Sequence, residues 1–339
     1  MKRMKRIGLI IGGMLISVFF CVSCRDTDEY TTDVRENFET LWRILDEHYC
    51  FFEYKEVDWD EVHDRYAAQL TDTMNQYAFF DLCASMLAEL KDGHTNLYSS
   101  FDVARYWAWY TDYPPNFYEE LNNAYLGDDY KIAGGLEYKT MADGQVGYVR
   151  YESFSSGIGE SNLDYMFYYF RDCKGLIIDI RNNGGGSLTY SERFASRFLE
   201  EACTVGYIQY KTGTGHSDFS EPYPIELQPS AYILWLRPVV VLTNRHCYSA
   251  ANDFVQKMRL FPQVTIMGDR TGGGSGFPFT SELPNGWTVR FSACPMLDAD
   301  GNLTEFGIDP DVQVSITSED LLRGVDTILE SAITFLLEE

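Results

Sequence analysis

Beyond residue 32, apolar residues first recur with helical spacing. Phe38, Leu41, Trp42, Leu45 and Tyr49 fall at i, i+3, i+4, i+7 and i+11, one face of an amphipathic helix. Asp33 with Glu36 supplies its start signal. Asp58 with Glu61 opens a second helix running to about Leu70, and Phe79, Cys83, Met86, Leu87 and Leu90 mark a third. Gly93 is placed to close that third helix in the left-handed conformation, which puts His94 on a turn. Residues 99–143 are aromatic and loop-like, broken by Pro114-Pro115. After them, strands and helices alternate. Residues 145–151 read as a strand and 162–170 as a helix, while 175–180, 238–243 and 264–267 are continuous apolar runs, the mark of strands buried on both faces. Leu283-Pro284-Asn285-Gly286 reads as a hairpin turn, and Thr317 with Asp320 caps a closing helix to about Leu337. This alternation predicts an α/β core.

Composition narrows the class of partner. The 339 residues are 45% hydrophobic and 23% charged, ordinary globular usage. The formal net charge is -24. The first 23 residues hold four cations (Lys2, Arg3, Lys5, Arg6) and no acid, so the remainder sets 23 cations against 51 acids, a net of -28. A surface that acidic repels phosphate backbones and disfavours nucleic acid.

The N-terminus carries an address. Residues 1–6 are basic and residues 7–22 form a 16-residue apolar run, shorter than the roughly 20 residues a spanning helix needs. The pattern reads as a signal peptide. It ends Cys21-Val22-Ser23-Cys24, which resembles a bacterial lipobox with Cys24 as the lipidated first residue of the mature chain. The expected organisation is a lipoprotein signal peptide (1–23), a polar tether (24–32), a helical N-terminal cap carrying His94 (33–98), an aromatic connecting segment (99–143) and a core (144–339). The resemblance implies a lipid-anchored protein of the cell envelope. Six cysteines remain (Cys50, Cys83, Cys173, Cys203, Cys247, Cys294). Their spacing names no metal site and no disulfide pair, and they read as packed thiols.

Two motifs could do chemistry. One buried strand runs into Arg181-Asn182-Asn183-Gly184-Gly185-Gly186, whose glycines let backbone N–H groups approach a ligand. Another runs into Asn244-Arg245-His246-Cys247-Tyr248-Ser249-Ala250-Ala251, which puts Ser249 at a strand-to-helix junction where free N–H groups favour a developing anion. Alone, such a serine reads as a helix cap.

The ordered series changes that reading. Gly-Leu-Ile-Ile-Asp-Ile-Arg-Asn-Asn-Gly-Gly-Gly, then Ser249-Ala250-Ala251, Gly268-Asp269-Arg270-Thr271 and Gly307-Ile308-Asp309-Pro310-Asp311-Val312 resembles the core of the tail-specific serine proteases, and Asp92-Gly93-His94-Thr95 extends the likeness toward the N-terminus. One design in that family uses a lysine base. Here the corresponding stretch is Gly272-Gly273-Gly274-Ser275-Gly276, and no lysine follows Lys257. The other design resembles the tricorn protease core. It implies Ser249 as nucleophile, His94 as base, and Glu305 assisting His94 directly or through an intervening hydroxyl. It also implies an oxyanion hole from the Ala250 amide and one of Gly184–Gly186, foremost Gly185. Tricorn-type sites carry a serine where this chain has Gly93, which puts the relay from Glu305 in question. His246 ranks second as base. The likeness further implies a crotonase/ClpP-like spiral of ββα units with an N-terminal helical cap, a peptide or protein substrate, and no metal or organic cofactor. About 50 residues separate His94 from Gly144, too few for the PDZ domain many relatives carry. The competing reading is a catalytically inactive lipoprotein that binds peptides or apolar ligands on the same scaffold.

Overall fold

The computed structural model describes residues 30–338, so the signal peptide and Cys24 lie outside the described residues. The chain opens with α1 (Val34–His48), α2 (Trp59–Ala67) and α3 (Gln76–Ala88). Asp33 and Asp58 cap the first two as expected, accepting from Glu36 N at 2.8 Å and Glu61 N at 2.9 Å. Asn75 caps the third by accepting from the amides of Tyr77 and Ala78.

The third helix does not end on Gly93. Its left-handed exit falls at Lys91 (φ 47°), two residues earlier. Gly93 serves a different need, close packing, described below.

The segment 99–143 is also more structured than a connecting loop. Strand β1 (Asn96–Tyr98) leads into it, and β2 (Val103–Arg105), helices α4 (Ala108–Thr111) and α5 (Glu119–Leu126), and strands β3 (Lys131–Ala133) and β4 (Leu136–Met141) lie within it. β3 and β4 join the core sheet, so that sheet starts before residue 144.

The core continues through β5 (Val146–Tyr151), α6 (Glu160–Tyr169), β6 (Gly175–Asp179), α7 (Leu188–Ala195), β7 (Cys203–Ile208), β8 (Tyr223–Leu227), β9 (Val239–Thr243), α8 (Ala250–Met258), β10 (Val264–Gly268), β11 (Gly276–Glu282), β12 (Thr288–Leu297) and β13 (Val312–Gln313). Two helices close the chain, α9 (Ser318–Leu322) and α10 (Thr327–Glu338). The expected single closing helix is broken at Gly324 (φ 70°), and Asp326 restarts it by accepting from the amides of Ile328 and Leu329.

A seven-stranded sheet runs β13-β10-β9-β6-β5-β4-β3, parallel from β13 to β5 and antiparallel at β4 and β3. Its central strands β5, β6 and β9 are buried throughout, as the apolar runs of β6 and β9 require. One face packs on α6, α7 and α8 through Leu163, Phe194 and Phe254; the other lies under Ile328, Leu329 and Leu336 of α10. Each such side chain contributes roughly 1.5–3 kcal/mol when fully buried. A second, antiparallel sheet (β2-β1-β12-β7-β8, with β11 on β12) carries the N-terminal helices, Phe38, Leu41 and Phe79 meeting Trp287, Val289 and Phe291. This α/β core with its helical N-terminal region agrees with the fold class expected from the sequence. Among the described residues, no helix is long and apolar enough to cross a membrane.

Candidate active site

Ser249 stands at the elbow between β9 and α8. Its backbone (φ 57°, ψ -121°) lies where L-residues are rarely found. Four hydrogen bonds hold the elbow there: Ser249 N to Gly273 O at 2.9 Å, Tyr248 N to Asn183 O at 3.1 Å, Gly272 N to Cys247 O at 2.9 Å and Asp253 N to Ser249 O at 2.9 Å. The Ser249 side chain makes no helix-cap hydrogen bond. Its Oγ lies 3.0 Å from His94 Nε2 instead, across 155 residues of sequence. The cap reading is thereby excluded.

His94 is buried, 3% exposed, at the start of the second sheet. Asp92 Oδ1 accepts from its backbone amide at 2.7 Å, and the Tyr248 ring meets it edge-on at 4.9 Å. Burial pulls the imidazole pKa down to about 4; the Asp92 carboxylate and the Gly276 carbonyl oppose this, and the charges of Arg290 and Lys55 reinforce it. Nδ1 is enclosed and has no well-directed hydrogen-bond partner. The ring is therefore neutral at pH 7 and able to accept a proton.

Glu305 does not touch His94. Its Oε1 accepts from Lys55 Nζ at 2.7 Å and its Oε2 from Ser275 N at 2.9 Å. Lys55 also lies 3.7 Å from Asp92 Oδ2, which accepts from Tyr49 OH at 2.9 Å. One buried cation faces two buried carboxylates, and the uncompensated charge falls on Glu305. Burial lifts its pKa to about 7 against the pull of Lys55, with Asp92 repulsion adding to the rise. Lys55 stays charged because the two acids outweigh its own desolvation. Sequence reasoning missed Lys55. It sits in an aromatic run (Phe51-Phe52-Glu53-Tyr54-Lys55), and nothing local marks it as buried.

Gly93 is explained by its neighbours. A Cβ there would lie 2.7 Å from Trp109 Nε1 and 2.9 Å from the Tyr248 phenol oxygen. Trp109 and Tyr248 stack at 4.2 Å and fill the space a serine side chain would need. The aromatic segment thus builds one wall of the site.

The glycine loop lies against the elbow. A Cβ on Gly185 would come within 2.9 Å of Ala250 N, so only glycine fits (φ 98°). The Gly185 amide, however, donates to Asn183 Oδ1 at 2.9 Å and is not free. The amides of Ala250, Gly184 and Gly186 donate to no group among the described residues. Asn183 also accepts from Phe154 N and donates to Tyr151 O, while Asn182 and Asn244 bond each other twice.

The remaining candidates are elsewhere. His246 packs against Tyr110 with ring centroids 3.7 Å apart and makes no bond to Ser249. His216 pairs with Asp46 at 2.8 Å and His63 with Glu39 at 3.1 Å. Lys257 is ion-paired to Asp253 one helical turn before it. The six cysteines are free thiols, all buried except the half-buried Cys203.

Two hollows meet at the Ser249–His94 pair. An open cleft of about 580 Å³ is walled by Trp107, Trp109 and Tyr110 on one side and the glycine loop on the other. A smaller pocket of about 230 Å³ is lined by Leu188, Phe277 and Met296. A chain laid through both would cross the serine hydroxyl.

Residues 145–314 match the sequence pattern of Peptidase family S41, and residues 30–88 that of the tricorn protease C1 domain. Carboxy-terminal processing protease CtpA of Bacillus subtilis (strain 168) is 25% identical over 181 residues, which are 53% of this chain and 37% of CtpA. Tricorn protease of Thermoplasma acidophilum is 26% identical over 199 residues, 58% of this chain and 17% of its own length. The matched part is thus well under half of either relative. A crystal structure from Parabacteroides merdae ATCC 43184, of a protein assigned as a peptidase, superposes with a TM-score of 0.88 at 66% identity, covering 91% of this chain and 98% of that one. With the family pattern over half its length, and a solved relative this similar over nearly all of it, the chain belongs to peptidase family S41.

Proposed function

We propose that the protein is a serine peptidase in which Ser249 attacks the scissile carbonyl and His94 takes and returns the proton. The observation that carries this reading is the 3.0 Å approach of Ser249 Oγ to His94 Nε2 at a strained elbow. As Oγ bonds to the carbonyl carbon, its proton passes to Nε2. The oxyanion that forms is held by the Ala250 amide, at the positive end of α8, and by an amide of the glycine loop. Because Gly185 N is turned to Asn183, Gly184 or Gly186 supplies the second donor unless the loop shifts when substrate binds. Collapse of the tetrahedral adduct expels the amine, which takes the proton from His94. Water, deprotonated by the same imidazole, then hydrolyses the acyl-enzyme and restores Ser249. Glu305 acts as a positioning residue, through its bonds to Lys55 and Ser275, rather than as a direct partner of His94. Peptides or proteins are the substrates.

The test is labelling with a fluorophosphonate, comparing the wild type with Ser249→Ala and His94→Ala. Labelling at Ser249 that disappears in the first variant and falls at least a hundredfold in the second supports the assignment. Folded wild-type protein that stays unlabelled between pH 6 and 9 overturns it in favour of a ligand-binding protein on the same scaffold.

We further propose that Cys24 carries a lipid that tethers the protein in the cell envelope, on the strength of the basic start, the apolar run and Cys21-Val22-Ser23-Cys24. Metabolic labelling with a radioactive fatty acid should mark the wild type and not Cys24→Ala. An unlabelled wild type overturns the tether.

A further inference from the structure

The open cleft has the wrong charge for this protein. The chain carries 51 acids against 27 Lys and Arg, yet the cleft lining contains two arginines, Arg105 and Arg290, and no aspartate or glutamate. The placement of the two follows from strand register. Asn96 of β1 pairs with Arg105 of β2 on one side and with Arg290 of β12 on the other. Residues paired across antiparallel strands share a face of the sheet, so both arginines flank Asn96 on one face. By strand spacing their Cα atoms are about 10 Å apart, a gap two arginine side chains can close on one carboxylate.

Neither guanidinium is hydrogen-bonded or ion-paired among the described residues. Arg105 rests over the Trp107 ring at 5.3 Å, which orients it while leaving its donors unused. Arg290 lines both the open cleft and the smaller pocket, so it stands where the two meet beside Ser249. Its charge is felt at His94 and at Tyr248. Unpaired guanidinium forks in the acid-free lining of the open cleft suit planar, bidentate anion recognition, and the one acid of the smaller pocket, Asp253, is already paired with Lys257. In a chain of net charge -24, they also supply the local attraction an acidic substrate would otherwise lack.

We infer that Arg105 and Arg290 form a carboxylate-binding subsite that selects substrates bearing an acid group near the bond presented to Ser249. The group is either a peptide's terminal carboxylate or an aspartate or glutamate side chain. This deepens the peptidase reading and rests on it for the role of Ser249, but the binding itself can be measured without catalysis.

In the experiment, immobilised Ser249→Ala protein is offered an equimolar pool of random hexapeptides, each present as the free acid and as the C-terminal amide. Retained peptides are quantified by mass spectrometry. Carboxylate-bearing peptides should be enriched at least tenfold over uncharged amides, and 0.5 M NaCl should erode the enrichment. Adding Arg290→Gln or Arg105→Gln should bring the ratio close to one, and Arg290→Lys should restore part of it. Circular dichroism verifies that each variant is folded. Enrichment confined to free acids identifies the terminal carboxylate; enrichment that extends to amidated peptides containing aspartate or glutamate identifies the side chain. Equal retention of carboxylate-bearing peptides and uncharged amides overturns the inference, as does enrichment that survives both glutamine exchanges. Failure of fluorophosphonate labelling in the wild type would instead remove the peptidase reading and leave this result standing.

Discussion

Lys55 Nζ lies 2.7 Å from Glu305 Oε1, joining the N-terminal helical region to the loop before β13 by an ion pair almost closed to solvent (side chains 4% and 3% exposed). Removing one partner of such a pair leaves the other buried and uncompensated. Lys55→Met should therefore cost about 3–5 kcal/mol of unfolding free energy, read from urea denaturation. Lys55→Met/Glu305→Gln should recover part of that loss, since one of the two stranded carboxylates is gone and only Asp92 remains. A Lys55→Met protein as stable as wild type would show the network to be energetically idle.

Glu305 also sets a pH signature. Its pKa in the folded protein is raised to about 7, above the ordinary carboxylate value. The folded state then binds more protons than the unfolded state between those two values, so this group's contribution falls as pH rises through that window. Glu305→Gln lacks the ionisation. Its stability relative to wild type should improve from pH 5 to pH 8 in paired denaturation curves, and a gap constant with pH would contradict the assignment.

His94 has the opposite displacement. Its pKa is depressed to about 4, so the imidazole remains neutral well below pH 6. The acid limb of the fluorophosphonate labelling rate should have its midpoint clearly below 6.5, the value of an unperturbed histidine. A midpoint at 6.5 or above would mean the ring is solvated in the active form.

Gly93 packs under Trp109 and the Tyr248 phenol, with no room for a side chain. Gly93→Ser, although it installs the serine that tricorn-type sites carry, should destabilise by about 1–3 kcal/mol, as overpacking does. It should also slow labelling by displacing Tyr248 from the edge of His94. Labelling faster than wild type would show that the missing hydroxyl is limiting.

Ser249 holds a left-handed conformation that an L-residue adopts only under constraint. Strain of this kind is worth of order 1–3 kcal/mol, and glycine does not pay it. Ser249→Gly should be more stable than Ser249→Ala by about 1 kcal/mol, with both unlabelled. Thermal denaturation of the two variants side by side is the measurement; equal stability would mean the elbow is unstrained.

Much of this fold is local in origin. The strand read at residues 145–151 (β5), the buried runs that became β6, β9 and β10, the caps at Asp33, Asp58 and Thr317, and the turn at Asn285-Gly286 are short-range signals, and each formed where its residues required. The short strands β1 to β4 carry little periodicity of their own and exist because β12 and β5 pair with them. The left-handed exit of α3 at Lys91 escaped detection for the opposite reason, since a glycine two residues later suggested itself and was needed for packing.

The candidate site divides in the same way. The sequence alone established which residue types were available: a serine at a strand-to-helix junction, a histidine on a turn, glycines after a buried strand and an acid near Gly307. It could not say which of them meet, because contact between residues 94 and 249, or 55 and 305, depends on how two sheets pack and not on any neighbour in the chain. Tertiary structure placed the imidazole against the serine, turned the Gly185 amide to Asn183 and gave Glu305 to Lys55. The reason is physical: chemistry at close range needs side chains brought within about 3 Å from distant parts of the chain, and only the burial that drives the helical cap onto the core supplies that convergence.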